Sequence, residues 1–168
     1  MSTSKENLKA AFAGESQANR KYLAFAEAAD KEGYAQVAKL FRAAAHAETV
    51  HALTHFKTMG AVKTTLENLE AAIAGENYEV ESMYPQFMKE AEDEGDKRAF
   101  SSFRKAYEVE KVHADLYQQA LGLLKEGKTE EEDFDYYVCP VCGHTHPREA
   151  PEKCPVCGVA KERFERIN

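Results

Sequence analysis

The 168-residue chain has no tryptophan, and its four cysteines, Cys139, Cys142, Cys154 and Cys157, are confined to the last thirty residues. None is left over for disulfides elsewhere, and two CxxC pairs in a cytosolic chain read as a metal site. No apolar run approaches the length of a membrane span. Residues 1 to 30 lack the basic, then apolar, then small-residue order of a secretory signal, so a cytoplasmic location is expected. A net charge of −7 argues against nucleic acid or an anionic membrane as the main partner. The tail, residues 136–168, carries five Lys or Arg against four Asp or Glu, which leaves no basic surface for nucleic acid. No nucleotide-binding fingerprint occurs, so the chain is not expected to oxidise NADH unaided.

What is present is a repeated motif. Glu48-Thr49-Val50-His51 and Glu110-Lys111-Val112-His113 stand 62 residues apart. On a helix, residues at i and i+3 project from one face, so each motif offers a carboxylate oxygen and an imidazole nitrogen to one point. Glu15 lies 33 residues before Glu48, and Glu76 and Glu79 lie 34 and 31 residues before Glu110. A donor helix therefore precedes each motif helix, as in the carboxylate-bridged two-metal sites of four-helix bundles. The same 62-residue shift matches Tyr22 with Tyr84, Phe25 with Phe87, Glu32-Gly33 with Glu94-Gly95, and Phe41-Arg42 with Phe103-Arg104.

The length allows one sizeable core and a small appendage. Thr3-Ser4-Lys5-Glu6 has the form of a capping box, and a periodically apolar stretch runs from it to Gly33. A second helix runs from Tyr34 to Met59-Gly60, with Val37, Leu40, Phe41, Ala44, Ala45, Glu48, His51, Ala52 and Phe56 on a stripe expected to be buried. Residues 61–75 form a long crossover with a short helix near Thr64-Glu67 that Gly75 stops. A third helix then spans Glu76 to Glu94, kinked by Pro85, and a fourth spans Asp96 to Lys125. The expected fold is an all-α four-helix bundle over 1–126, an acidic linker over 127–135, and a small metal-binding domain of short strands and knuckles over 136–168. Thirty residues cannot bury enough apolar surface to fold alone, and a tetrathiolate metal would supply the missing stability.

Five glutamates aimed into one bundle need cations to neutralise them. Oxygen donors with a minority of imidazole suit iron or manganese over zinc or copper, and iron is expected. The seven candidates are Glu15, Glu48, His51, Glu76, Glu79, Glu110 and His113, one more than a four-glutamate, two-histidine plan requires. Charge balance gives the surplus a purpose: two ferrous ions are balanced by four glutamates, whereas two ferric ions accommodate a bridging hydroxide and a fifth carboxylate. A ligand exchange is inferred in which one iron takes Glu79 when oxidised and His51 when reduced. Tyr22 and Tyr84, roughly two turns beyond Glu15 and Glu76, are candidate hydrogen-bond donors to the ligands. His46, His55, His144 and His146 read as ordinary surface or loop residues. Cys139-Pro-Val-Cys142-Gly and Cys154-Pro-Val-Cys157-Gly are two identical knuckles for a tetrahedral sulfur site. Gly143 and Gly158 can take positive φ and turn backbone N–H groups toward the thiolates. Spacing alone leaves both iron and a structural zinc ribbon open here.

Taken together, Gly14-Glu15-Ser16, AAHAETVH around Glu48, GENYE at 75–79, MYPQF at 83–87, EVEKVH ending at His113 and the paired CPVCG knuckles resemble rubrerythrin, bundle first and cysteine domain last. The resemblance implies a ferritin-like bundle holding a non-haem di-iron centre and a rubredoxin-like Fe(Cys)4 domain, in a protein that reduces hydrogen peroxide in oxidative-stress defence. It carries the di-iron ligands onto the seven residues above and the single iron onto the four cysteines, with zinc or manganese as substitutes. It also implies the Glu79-for-His51 exchange, a homodimer or higher homo-oligomer, and electrons from rubredoxin or an NAD(P)H-dependent reductase. The rival readings are a ferroxidase of an iron-storage shell, which leaves the cysteine tail unexplained, and a structural bundle with a zinc ribbon.

Overall fold

A computed structural model describes residues 3–128 and 133–167, so the expected 127–135 linker lies partly outside the described residues. The chain forms two compact units, Met1–Lys63 and Thr64–Asn168. No helix of the described residues is long and apolar enough to cross a membrane.

In the first unit, α1 (Ser4–Lys31) and α2 (Ala35–Thr58) pack as a helical hairpin. The capping box is present: the Thr3 hydroxyl accepts from the Glu6 amide and the Glu6 carboxylate accepts from the Thr3 amide. Ala26 and Ala29 of α1 meet a row of alanines on α2, Ala38, Ala45 and Ala52, all buried. Seven residues make nearly two turns, so that row is straight and its small side chains let the helices approach closely. Asn19 is buried in the seam and donates to the Ala45 carbonyl at 2.6 Å and to Thr49 Oγ1 at 2.8 Å, joining α1 to α2. The expected buried stripe was too wide. The hairpin buries only the alanine row, so Val37, Leu40 and His51 are exposed, Leu40 to 67%.

The second unit begins with α3 (Thr65–Tyr78), which the Thr64–Glu67 capping box starts. Here the sequence expectation needs correction. Gly75 does not stop a short crossover helix: it lies inside α3, and the helix carrying Glu76 begins at Thr65 and not at Glu76. An interior glycine costs about 1 kcal/mol against alanine, too little to end a capped helix. The connector from α2 shrinks accordingly to residues 59–64. A π turn (Glu79–Met83) follows, then α4 (Tyr84–Asp93). The irregularity lies before Pro85, not at it. Proline sits in the first turn of α4, where its missing amide is least costly. Both segments pack against α5 (Lys97–Lys125), whose first amides are capped by Asp96.

The π turn resolves an irregularity in the repeat. Tyr22 follows Glu15 by seven residues, but Tyr84 follows Glu76 by eight. At about 100° per residue, seven steps return a side chain to the same face and eight leave it roughly 80° away. The π turn absorbs the extra residue, with the Tyr84 amide bonded to the Glu79 carbonyl five residues back. The aromatic packing of the two halves is therefore the same. Tyr22, Phe25 and Phe41 have ring centroids 5.6 to 6.3 Å apart, and Tyr84, Phe87 and Phe103 have theirs 5.5 to 6.4 Å apart.

The tail is a three-stranded antiparallel sheet with β1 (Tyr136–Val138) between β2 (Thr145–Pro147) and β3 (Glu165–Ile167). Its buried residues are Cys139, His144, Ala150 and Cys154, so the cysteine cluster occupies the place of a core. His144 is not a surface residue as expected. It is 4% exposed, its ring lies edge-on to Phe164, and neither ring nitrogen has a partner among the described residues.

If the π turn holds one surplus residue, deleting the exposed Ser82 should leave a regular α3–α4 helix with Tyr84 still facing Phe103. The expected result is unchanged helical circular dichroism and a melting temperature within a few degrees of wild type, whereas deleting Ala91, in a regular stretch, should lower it sharply. Equal damage from both deletions would refute the assignment.

Candidate metal centres

Three groups of donors come together in this chain. In the first unit, Glu15 of α1 meets Glu48 and His51 of α2, with one donor atom from each within 4.8 Å of the others. His51 Nδ1 lies 3.0 Å from Glu48 Oε2, the reach expected of an i, i+3 pair on one helix. The hydrogen bond with Glu48, then burial, raises the Glu15 pKa above the ordinary carboxylate range. Glu48 is held below that range by its hydrogen bonds with Glu15 and His51. The two carboxyls thus differ in acidity, Glu48 giving up its proton more readily than Glu15.

In the second unit, Glu76 of α3 meets Glu110 and His113 of α5 on the same terms. His113 Nδ1 is 2.7 Å from Glu110 Oε2 and 4.0 Å from Glu76 Oε1. Burial first and the Glu110 charge second raise the pKa of both Glu76 and Glu79, while the hydrogen bond to Glu110 raises that of His113. Glu79 lies outside the tight group but is close enough for its charge to act on Tyr84, whose pKa burial and these carboxylates push up. Tyr22 has aromatic neighbours and no hydrogen bond from its hydroxyl among the described residues. His46 is exposed and His55 half-buried, neither in a donor group, and His146 Nδ1 pairs with the Pro147 carbonyl.

The donor chemistry fits divalent cations. Each half-site sets two carboxylates and one imidazole nitrogen at a shared point. A hard ion such as iron or manganese would be neutralised by the oxygens and completed by the nitrogen. Sequence reasoning named every member of these two donor groups and missed the π turn at Glu79, although the seven-against-eight spacing was its signature.

The four cysteine sulfurs also lie within 4.8 Å of one another, with Cys139–Cys157 and Cys142–Cys154 at 3.5 Å. A tetrahedron of roughly 2.3 Å metal–sulfur bonds has edges of about 3.8 Å, so the cage is close to the size required. Gly143 and Gly158 take positive φ of 85° and 78°, as expected. Their own amides, however, close the turns onto the Cys139 and Cys154 carbonyls. The amides that reach sulfur belong to the next residues, His144 to Cys142 and Val159 to Cys157, because the left-handed glycine swings the following peptide round. Burial pushes the Cys142 thiol far up, whereas the Cys157 and Val156 amides overcome burial at Cys154 and bring it down to about 7.

A pH dependence follows. For Glu15, Glu76 and Glu79 the folded pKa exceeds the unfolded one. Their contribution in metal-free protein is present below the ordinary carboxylate range and lost as pH rises through the raised values. Glu48 acts in the opposite sense. With the bundle metals stripped, Glu76→Gln should therefore melt above wild type at neutral pH, by roughly 2–4 °C for each kcal/mol of repulsion relieved. The gap should close in melts run below the ordinary carboxylate range; a gap that persists there contradicts the assignment.

Comparison with known proteins agrees with this geometry. The Rubrerythrin family matches residues 6–121, and the Rubrerythrin, rubredoxin-like domain matches residues 137–165. Rubrerythrin-2 of Clostridium acetobutylicum is 38% identical over 175 residues, covering 94% of this chain and 93% of its own length. Nigerythrin of Nitratidesulfovibrio vulgaris is 40% identical over 173 residues, covering 95% of this chain and 84% of its own. A solved structure of fully reduced, all-ferrous nigerythrin superposes with a TM-score of 0.59 at 35% identity, over 99% of this chain and 88% of that one. With both its helical and its cysteine-bearing parts matched, the chain belongs to the rubrerythrin family.

Proposed function

We propose that the chain is a non-haem di-iron peroxidase that reduces hydrogen peroxide to two waters, with electrons relayed singly through an iron held by Cys139, Cys142, Cys154 and Cys157. The observation that carries this is the presence, in one chain, of two Glu/Glu/His groups and a four-sulfur cage. The all-ferrous state of the nigerythrin neighbour supports iron as the metal. Bound at the seven bundle donors, iron would supply the two electrons and the Lewis acidity that O–O cleavage needs.

The chain's own residues provide the rest. Glu79, at the start of the π turn and half-buried, would be the carboxylate that joins a more highly charged centre, and exposed His51, whose one partner among the described residues is Glu48, would be the donor it replaces. Tyr84, its pKa pushed up, keeps its proton at neutral pH and can donate it in a hydrogen bond beside Glu79, with Tyr22 as its counterpart in the other half. At the cysteine cage, amides from His144, Val156, Cys157 and Val159 spread the thiolate charge and favour reduction. In this proposal the bundle (1–126) and the cysteine domain (136–168) are separate domains of a cytoplasmic homo-oligomer, joined by the 127–135 linker. Rubredoxin or an NAD(P)H-dependent reductase supplies the electrons.

The test is to reduce the protein anaerobically, add one equivalent of peroxide, and follow the ferric-thiolate colour alongside metal analysis. Colour should return within one turnover. In Glu79→Ala the return should slow at least about tenfold with the cysteine-site spectrum intact, since about 1.4 kcal/mol of lost stabilisation already gives that factor. A native protein that is colourless and filled with zinc sinks the proposal, and elution as a very large particle would favour the iron-storage reading.

A further inference from the structure

The two ExxH motifs are equivalent in sequence but not in their surroundings. His51 makes one side-chain hydrogen bond among the described residues, to Glu48. His113 makes two: Nδ1 with Glu110 Oε2 at 2.7 Å, and Nε2 with Thr145 Oγ1 at 2.9 Å. Thr145 belongs to β2 of the tail, three residues past Cys142. Its hydroxyl lies 3.2 Å from the Gly143 carbonyl and donates to it, because a carbonyl only accepts. The lone pair left on Oγ1 then takes the Nε2–H of His113. With Nε2–H held there, Nδ1 faces Glu110 and Glu76, donating to the Glu110 carboxylate here and offering its lone pair once a cation takes that proton's place.

Neighbouring packing holds the contact in place. The knuckle at Gly143 approaches α5 so closely that a Cβ there would be 3.8 Å from Val109 Cγ1. Val109 is 2% exposed and stands one turn before His113 on the same face. The side chain of His113 is 27% exposed, against 55% for His51.

Given the metal-binding reading above, we propose that Thr145 is a positioning residue for the bundle metal site: it fixes the tautomer and ring orientation of His113, so that the cysteine domain holds this imidazole and leaves its repeat partner His51 unheld. The asymmetry needed for one histidine to stay and the other to leave would then come from the tail and not from the bundle repeat. The chain of bonds from His113 through Thr145 to Gly143 ends one peptide from Cys142, so a shift of the first knuckle reaches the imidazole directly.

The test uses full-length protein loaded with zinc as a redox-inert probe, comparing wild type, Thr145→Val and Thr145→Ser. In wild type, nitrogen-resolved NMR should show a His113 Nε2–H protected from solvent exchange, and metal analysis should find three ions per chain. Thr145→Val removes the acceptor at nearly constant volume. It should lose the protected proton and release bundle zinc to a chelator roughly 10–100-fold faster, the usual cost of removing a partner of a ligating histidine, while the cysteine-site zinc is retained. Thr145→Ser should restore both to near wild type. Should valine disturb β2, as reported by loss of the cysteine-bound zinc, Thr145→Ala takes its place with the same expectation. Three ions per chain with identical exchange and release rates in the hydroxyl-free variant would overturn the role of Thr145 alone. One ion per chain in wild type, held by the cysteines, would overturn the bundle metal site and this role with it.

Discussion

Negative charge gathered at a point is the constraint on which this chain is built. Glu15 with Glu48, and Glu76 with Glu110, are brought close enough to share a proton, and each pair has an imidazole beside it. Two carboxylates so placed repel one another when both are ionised, so the backbone must hold them against it. In the first unit that work falls to the alanine row of α2 and to Asn19, which bonds Ala45, one turn before Glu48, and Thr49, next to it. In the second it falls to the aromatic group of Tyr84, Phe87 and Phe103 two turns from Glu76. The donor groups are thus kept in place by residues that are not themselves donors.

Much of this was legible in the sequence, and for identifiable reasons. The ExxH motifs, the upstream glutamates and the CPVCG knuckles depend on local spacing, which helices and tight turns translate directly into geometry. Helix starts at Thr3, Thr64 and Asp96 were equally readable because caps are written in two or three adjacent residues. The misreadings have one cause in common. Gly75, the wide apolar stripe of α2 and His144 were judged from their own residue types, yet each outcome was set by a neighbour. The Thr64 cap carried α3 through the glycine, a narrow seam selected alanine over leucine, and Phe164 covered the imidazole. The π turn belongs between these classes. Its one-residue offset was visible, but the means of absorbing it lay in backbone hydrogen bonding that side-chain identity does not specify.

The duplication shows how far two halves can diverge while keeping one chemistry. Aromatic groups, carboxylate pairs and histidines match across the 62-residue shift, but only the second half has the inserted residue, the additional Glu79 and a tail strand against its histidine. The two imidazoles thereby differ in support: among the described residues His51 has Glu48 alone, whereas His113 has both Glu110 and Thr145. Symmetry in the donors with asymmetry in their supports is what a centre needs if part of its coordination is to change and part is to remain.

The sulfur cage has a direction of its own. Cys154, with two amides on its sulfur, ionises near neutrality, whereas burial keeps Cys142 protonated far above it. The second knuckle therefore holds the readier thiolate, and the first holds a thiol that gives up its proton reluctantly. The sulfur that keeps its proton harder thus sits in the knuckle whose glycine lies against Val109 of α5.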